Sequence, residues 1–121
     1  MGSGDVGHGL VPVFAGTFLQ RARGLIARPR SWLASEEALV LVPCSSIHTF
    51  GMRHAIDVAF LDKRGFVLAA RKSMPPWQCM SCAGAVAVLE RFAGPPGERG
   101  QIPPWPEPGC RIALGSTGRL L

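Results

Sequence analysis

Ile56-Asp57-Val58-Ala59-Phe60-Leu61-Asp62-Lys63-Arg64-Gly65-Phe66-Val67-Leu68-Ala69-Ala70-Arg71 reads as a strand, a turn and a returning strand. Two apolar runs rich in β-branched and aromatic residues flank a polar, Gly-containing loop, which is the signature of a β-hairpin. The reading decides the fold class. A chain whose clearest element is a hairpin builds its core around a sheet.

Working upstream, Ala38 to Pro43 is a short apolar run and predicts a buried strand, with Ser46 to Met52 extended after it. Downstream, Met74-Pro75-Pro76-Trp77 breaks the chain. Ala85 to Phe92 is apolar and compatible with helix or strand. Ala93-Gly94-Pro95-Pro96-Gly97 closes it, a proline-rich loop with Trp105 runs to Pro108, and Cys110 to Leu114 predicts a last strand. Near the start, Thr17-Phe18-Leu19-Gln20 fits a capping box. Phe18, Ala22, Leu25 and Ile26 follow helical spacing, and Pro29 ends the predicted helix. Residues 1–13 are expected to form a flexible tail and residues 14–121 one domain. The expected fold is α+β and β-rich: a single small sandwich- or barrel-like sheet domain with an N-terminal helix.

The bulk numbers agree. A chain of 121 residues, 47% hydrophobic and 17% charged, is one globular domain. With Gly 15 and Pro 11 it should be rich in turns. The net charge is +5. Its arginines are scattered, and the one dense group, Arg21 to Arg30, lacks interleaved aromatic residues, so nucleic-acid binding is not expected. No apolar run approaches the ~20 residues of a membrane span. Met1 to Gly9 has neither a basic nor an apolar leader segment, so a cytoplasmic location and reduced cysteines are expected.

Candidate site residues concentrate between Cys44 and Asp62, where strand-like sequence carries a thiol, two imidazoles, a guanidinium and a carboxylate. Buried polar groups need partners. Arg53 and Asp57 are four apart, share a face if extended, and are expected to pair. The pair is read first as structural, and otherwise as an anion clamp. Cys44, His48, Cys79 and Cys82 give C-x₃-H followed by C-x₂-C, which permits a zinc site. The C-x₂-C alone permits dithiol chemistry, and Cys44, His48 and Asp57 are the residue types of a cysteine hydrolase. Small buried thiols are the plainer reading. Trp77 and Trp105 lie in proline-rich loops and are read as caps on the core.

Thr17 through Gly24-Leu25, Phe50-Gly51-Met52-Arg53 with Ile56-Asp57-Val58-Ala59-Phe60 and the Asp62 to Gly65 turn, and Cys82 with Ala87-Val88-Leu89-Glu90 and Ala93-Gly94 together resemble family 192 of the domains of unknown function. The resemblance covers about Ala15 to Leu114. The chain departs from it at Gly51, where many members carry a bulky aromatic, and at Arg53-His54-Ala55, where Lys-Asn-Thr is frequent. The resemblance implies a compact β-sandwich or barrel-like fold with one or two helices, and no established reaction. The expected function is a non-enzymatic binding or accessory domain without a cofactor. Its ligand, a small molecule or a protein, would be held by Cys44, His48, Met52, Arg53, Asp57 and Cys82, with Trp77 nearby. The alternatives are a zinc or cysteine-dependent enzyme using Cys44, His48 and Cys82, and a structural partner with an exposed apolar patch near Trp105.

Overall fold

In the computed structural model, residues 9–94, 102–112 and 119–120 are described. The predicted hairpin forms one edge of the main sheet: β4 (Ile56–Leu61) pairs antiparallel with β5 (Val67–Met74). Asp62 shapes its turn by accepting hydrogen bonds from the amides of Arg64 (2.8 Å) and Phe66 (3.0 Å). Gly65 sits at φ +89°, and a Cβ there would collide with the Ile112 carbonyl, so the turn requires glycine.

Six strands form this sheet in the order β5-β4-β7-β2-β1-β8. They include β1 (Val11–Ala15), β2 (Glu37–Leu41), β7 (Ala87–Phe92) and β8 (Arg119–Leu120). β1 runs parallel to β2 and β8, while β2, β7, β4 and β5 are antiparallel neighbours. A second sheet pairs β3 (Ser46–His48) with β6 (Cys79–Ser81). The expected β-rich, barrel- or sandwich-like architecture holds. Within Ala85 to Phe92, ambiguous by periodicity, Ala87–Phe92 is strand and pairs on both sides.

Three expectations change. The tail boundary at residue 13 moves, because Val11, Pro12 and Val13 belong to β1 and Val13 is completely buried. Among the described residues β8 pairs with Val13 and Phe14 and not with Pro12, whose missing N–H therefore interrupts no described pairing on that side. The N-terminal helix expected to reach Pro29 is not formed at that length. Only α1 (Phe18–Arg23) is helical, started by the predicted Thr17–Gln20 capping box. Gly24 at φ 51°, ψ −125° stops it, and Ala27 is also at positive φ. Leu25 is therefore buried by a turn, not by a helix face. The last predicted strand is reduced to a bridge between Phe66 and Arg111, and residues 113–114 lie outside the described residues.

Both faces of the sheet are covered, which explains why Ala38 to Leu41, Val58 to Leu61 and Ala87 to Leu89 read as continuous apolar runs instead of alternating. On one face, here called the near face, Leu39, Leu41, Ile56, Val58, Phe60 and Val88 pack beneath Leu25, Leu33, Ile47 and Met52. On the far face, Ala38, Val40, Ala59, Leu61, Ala87 and Leu89 pack against Leu10, Trp105 and Ile112.

Candidate functional site

Each face buries a carboxyl group, and the two are held differently. Asp57 and Arg91 stand opposite each other across β4 and β7. Arg91 Nε donates to Asp57 Oδ2 at 2.9 Å, and both side chains are buried. The register between β4 and β5 slips beside Asp57, and its Oδ1 accepts the Ser73 amide at 2.9 Å. Arg91 also donates to the Pro103 carbonyl (2.6 Å) and lies over the Trp105 ring. Trp105 Nε1 donates to the Val58 carbonyl at 2.9 Å. This network ties the proline-rich loop to the far face. The expected Arg53–Asp57 pair is not formed; the partner of Asp57 is Arg91. The patch expected near Trp105 is not exposed either, since Trp105 is buried.

Glu90, the next residue along β7, stands between Leu39 and Val58 in register and points to the near face. It is 3% exposed. Among the described residues no cation pairs with it, and the Leu25 backbone amide is its hydrogen-bond partner. Burial raises its carboxyl to about 7, against the smaller opposing effect of that amide. Gly24 makes room for it: a Cβ at Gly24 would lie 2.9 Å from Glu90 Oε1.

Glu90 lines a cavity of about 240 Å³ with Arg21, Arg23, Gly24, Leu25, Ile47, His48 and Met52. Leu25 and Met52 also line an adjoining cavity of about 670 Å³ with Arg28, Arg30, Arg53 and His54. α1 and the turns after it bring Arg21, Arg23, Arg28 and Arg30 to the side of the fold where Arg53 lies, in the loop between β3 and β4. Arg23 and Arg28 bend onto the carbonyls of Ile26 and Gly24, and Arg28 stacks on Trp32. Among the described residues neither Arg21, Arg23, Arg28 nor Arg53 forms a salt bridge.

The predicted site residues therefore divide. His48, Met52 and Arg53 line the adjoining cavities. Asp57 lies on the far face, in a separate cavity with Arg91 and Trp105. Cys44 and Cys82 are half-buried against the near-face core. Burial raises the Cys44 thiol, and its Sγ donates to the Ser46 carbonyl, so it is a poor nucleophile. Trp77 is exposed on a ledge where His48 stacks on Phe50 (4.9 Å) and Phe50 on Trp77 (6.0 Å). The buried Thr49 hydroxyl, donating to the Pro75 carbonyl and accepting the Gln78 amide, fixes that ledge.

Among the described residues no three His, Cys, Asp or Glu side chains converge as a metal site would require. His48 faces Cys79 across the small sheet, and the C-x₂-C begins in a strand, not at the helix N-terminus that activates a thiol. Glu90, Arg21, Arg23 and Arg28 were not among the site residues expected from sequence. A carboxyl ending the apolar run Ala87-Val88-Leu89 was the available signal for Glu90, the same one that marked Asp57 inside β4.

Fold and cavity define a small β-rich domain of barrel- or sandwich-like form with a buried acid beneath an arginine-lined opening. The chain belongs to the DUF192 family, described as uncharacterized ACR, whose model matches residues 7–100. Two similar crystal structures share the fold. A protein of unknown function from Novosphingobium aromaticivorans DSM 12444 is 23% identical with a TM-score of 0.62, over 81% of this chain and 70% of that one. A protein from Sinorhizobium meliloti 1021, provisionally described as a transcription regulator, is 20% identical with a TM-score of 0.62, over 82% of this chain and 78% of that one. No curated protein matches the chain. No helix among the described residues is long and apolar enough to cross a membrane.

Proposed function

We propose that this domain binds a small anionic molecule in the adjoining cavities around Leu25 and Met52. The observation that carries the reading is the set of guanidinium groups lining them: Arg21 and Arg23 in one, Arg28, Arg30 and Arg53 in the other. Among the described residues none of these arginines forms a salt bridge; such cations lining a cavity concentrate anions, and guanidinium forks suit carboxylate and phosphate oxygens. His48 adds a further donor or acceptor at the rim. Of the expected ligand residues, His48, Met52 and Arg53 remain in this reading. Asp57 leaves it because its oxygens are already engaged by Arg91 and Ser73. Cys44 and Cys82 serve as packing.

The test is calorimetric titration of the purified domain with inorganic phosphate and with succinate, at low and at raised salt. Saturable binding that weakens with salt, and that falls in Arg53→Gln and Arg23→Gln, is the expected result. No saturable binding of either anion at low salt would refute the reading.

A further inference from the structure

Glu90 is out of place for a domain that binds only anions. Its neighbours in register, Leu39 of β2 and Val58 of β4, are apolar core residues, so packing alone asks for an aliphatic side chain there. Asp57 shows how this chain buries a carboxylate for structure, with a guanidinium and an amide closing its two oxygens. Among the described residues Glu90 has the Leu25 amide alone. The facing titratable groups are Arg21 and Arg23 of α1, His48 of β3 and Cys44 after β2, and none is hydrogen-bonded to it. The backbone is shaped around the carboxyl, since Gly24 leaves the space a Cβ would take. A buried acid with an open oxygen, at the inner end of a cavity, is a group waiting for a donor.

We infer that Glu90 recognises a hydrogen-bond donor on the bound molecule, so that the ligand is an anion carrying a hydroxyl or amine beside its charged group. The inference rests on the anion-binding reading and names the ligand class of the same cavity. The arginines at the mouth hold the charged end, and the donor reaches inward to the free Glu90 oxygen. With the carboxyl poised near neutrality, the bound donor favours its ionised form, so binding near neutral pH releases a proton from Glu90.

The closing experiment compares succinate with malate and aspartate, which add one hydroxyl or one amine to the same dianionic frame. Calorimetric titrations run in two buffers of different ionisation heat, and the Glu90 carboxyl is followed by ¹³C NMR. The expected result is binding of malate or aspartate about tenfold tighter than succinate. The tighter ligand should release a proton and move the Glu90 resonance, and the preference should disappear in Glu90→Gln. Equal binding of all three, with the Glu90 resonance unmoved, overturns the inference while leaving anion binding intact. Failure of all three to bind the unmodified domain removes the anion-binding reading and this inference with it. The resonance and proton count are read on the unmodified chain, so they hold even if the variant folds poorly.

Discussion

The far face and the near face of one sheet solve the same problem in opposite ways. Asp57 and Glu90 sit on neighbouring strands, each buried and each flanked by apolar residues. On the far face the charge is answered by Arg91, the Ser73 amide and a loop that Arg91 and Trp105 hold down. On the near face the charge is answered by one amide and a cavity. A buried ion pair that joins a loop to a sheet is architecture. A buried acid with no cation beside it among the described residues, beneath an opening, lowers stability and persists where something else uses it.

Breaking the far face should have the largest effect. Arg91→Ala strands Asp57 without its cation and releases the Pro103 carbonyl, so chemical denaturation should show a loss of about 3–5 kcal/mol. Replacing both partners, as in Asp57→Asn with Arg91→Met, should lose less than Arg91→Ala alone. A double-variant loss as large as the sum of the singles would mean the pair is not coupled.

The near face should respond in the other direction. The Glu90 carboxyl is raised from 4.5 to about 7 in the folded chain. Below pH 4.5 it is protonated folded and unfolded, and contributes nothing. Between pH 4.5 and about 7 the unfolded chain loses the proton while the folded chain keeps it, so stability falls as pH rises. Above that window the loss levels at about 3 kcal/mol. Glu90→Gln should remove most of this slope and raise the melting temperature at alkaline pH, with little gain in acid. A variant that destabilises equally at every pH would make Glu90 a structural group like Asp57.

Two smaller effects sharpen the contrast. Trp105→Phe removes the indole hydrogen bond to the Val58 carbonyl, at about 1–2 kcal/mol by denaturation. Arg53→Gln, on the open side, should change stability by less than about 0.5 kcal/mol while weakening anion binding. A large stability loss there would place Arg53 in the fold and not at the ligand.

The hairpin from Ile56 to Arg71 was legible because everything that makes it is local: two apolar runs, a turn carboxylate and a glycine. The Thr17–Gln20 cap was legible for the same reason, but the helix behind it was over-read, since Gly24 and Ala27 take conformations that apolar spacing does not report. β1 was missed because a proline and a glycine-rich approach disguise a strand whose partners lie far along the chain. The site divided along the same line. Asp57 was recognised as a buried carboxylate needing a donor, yet its partner lies 34 residues away on β7 and not four residues away on its own strand. The sequence by itself determined the β-rich class, the hairpin, the cap, the basic balance and the family, because patterning, turn chemistry and composition act over a few residues. Only the tertiary structure decided which carboxyl is paired and which lines a cavity, because strand register sends adjacent residues to opposite faces, and a one-residue step separates Glu90 from Arg91.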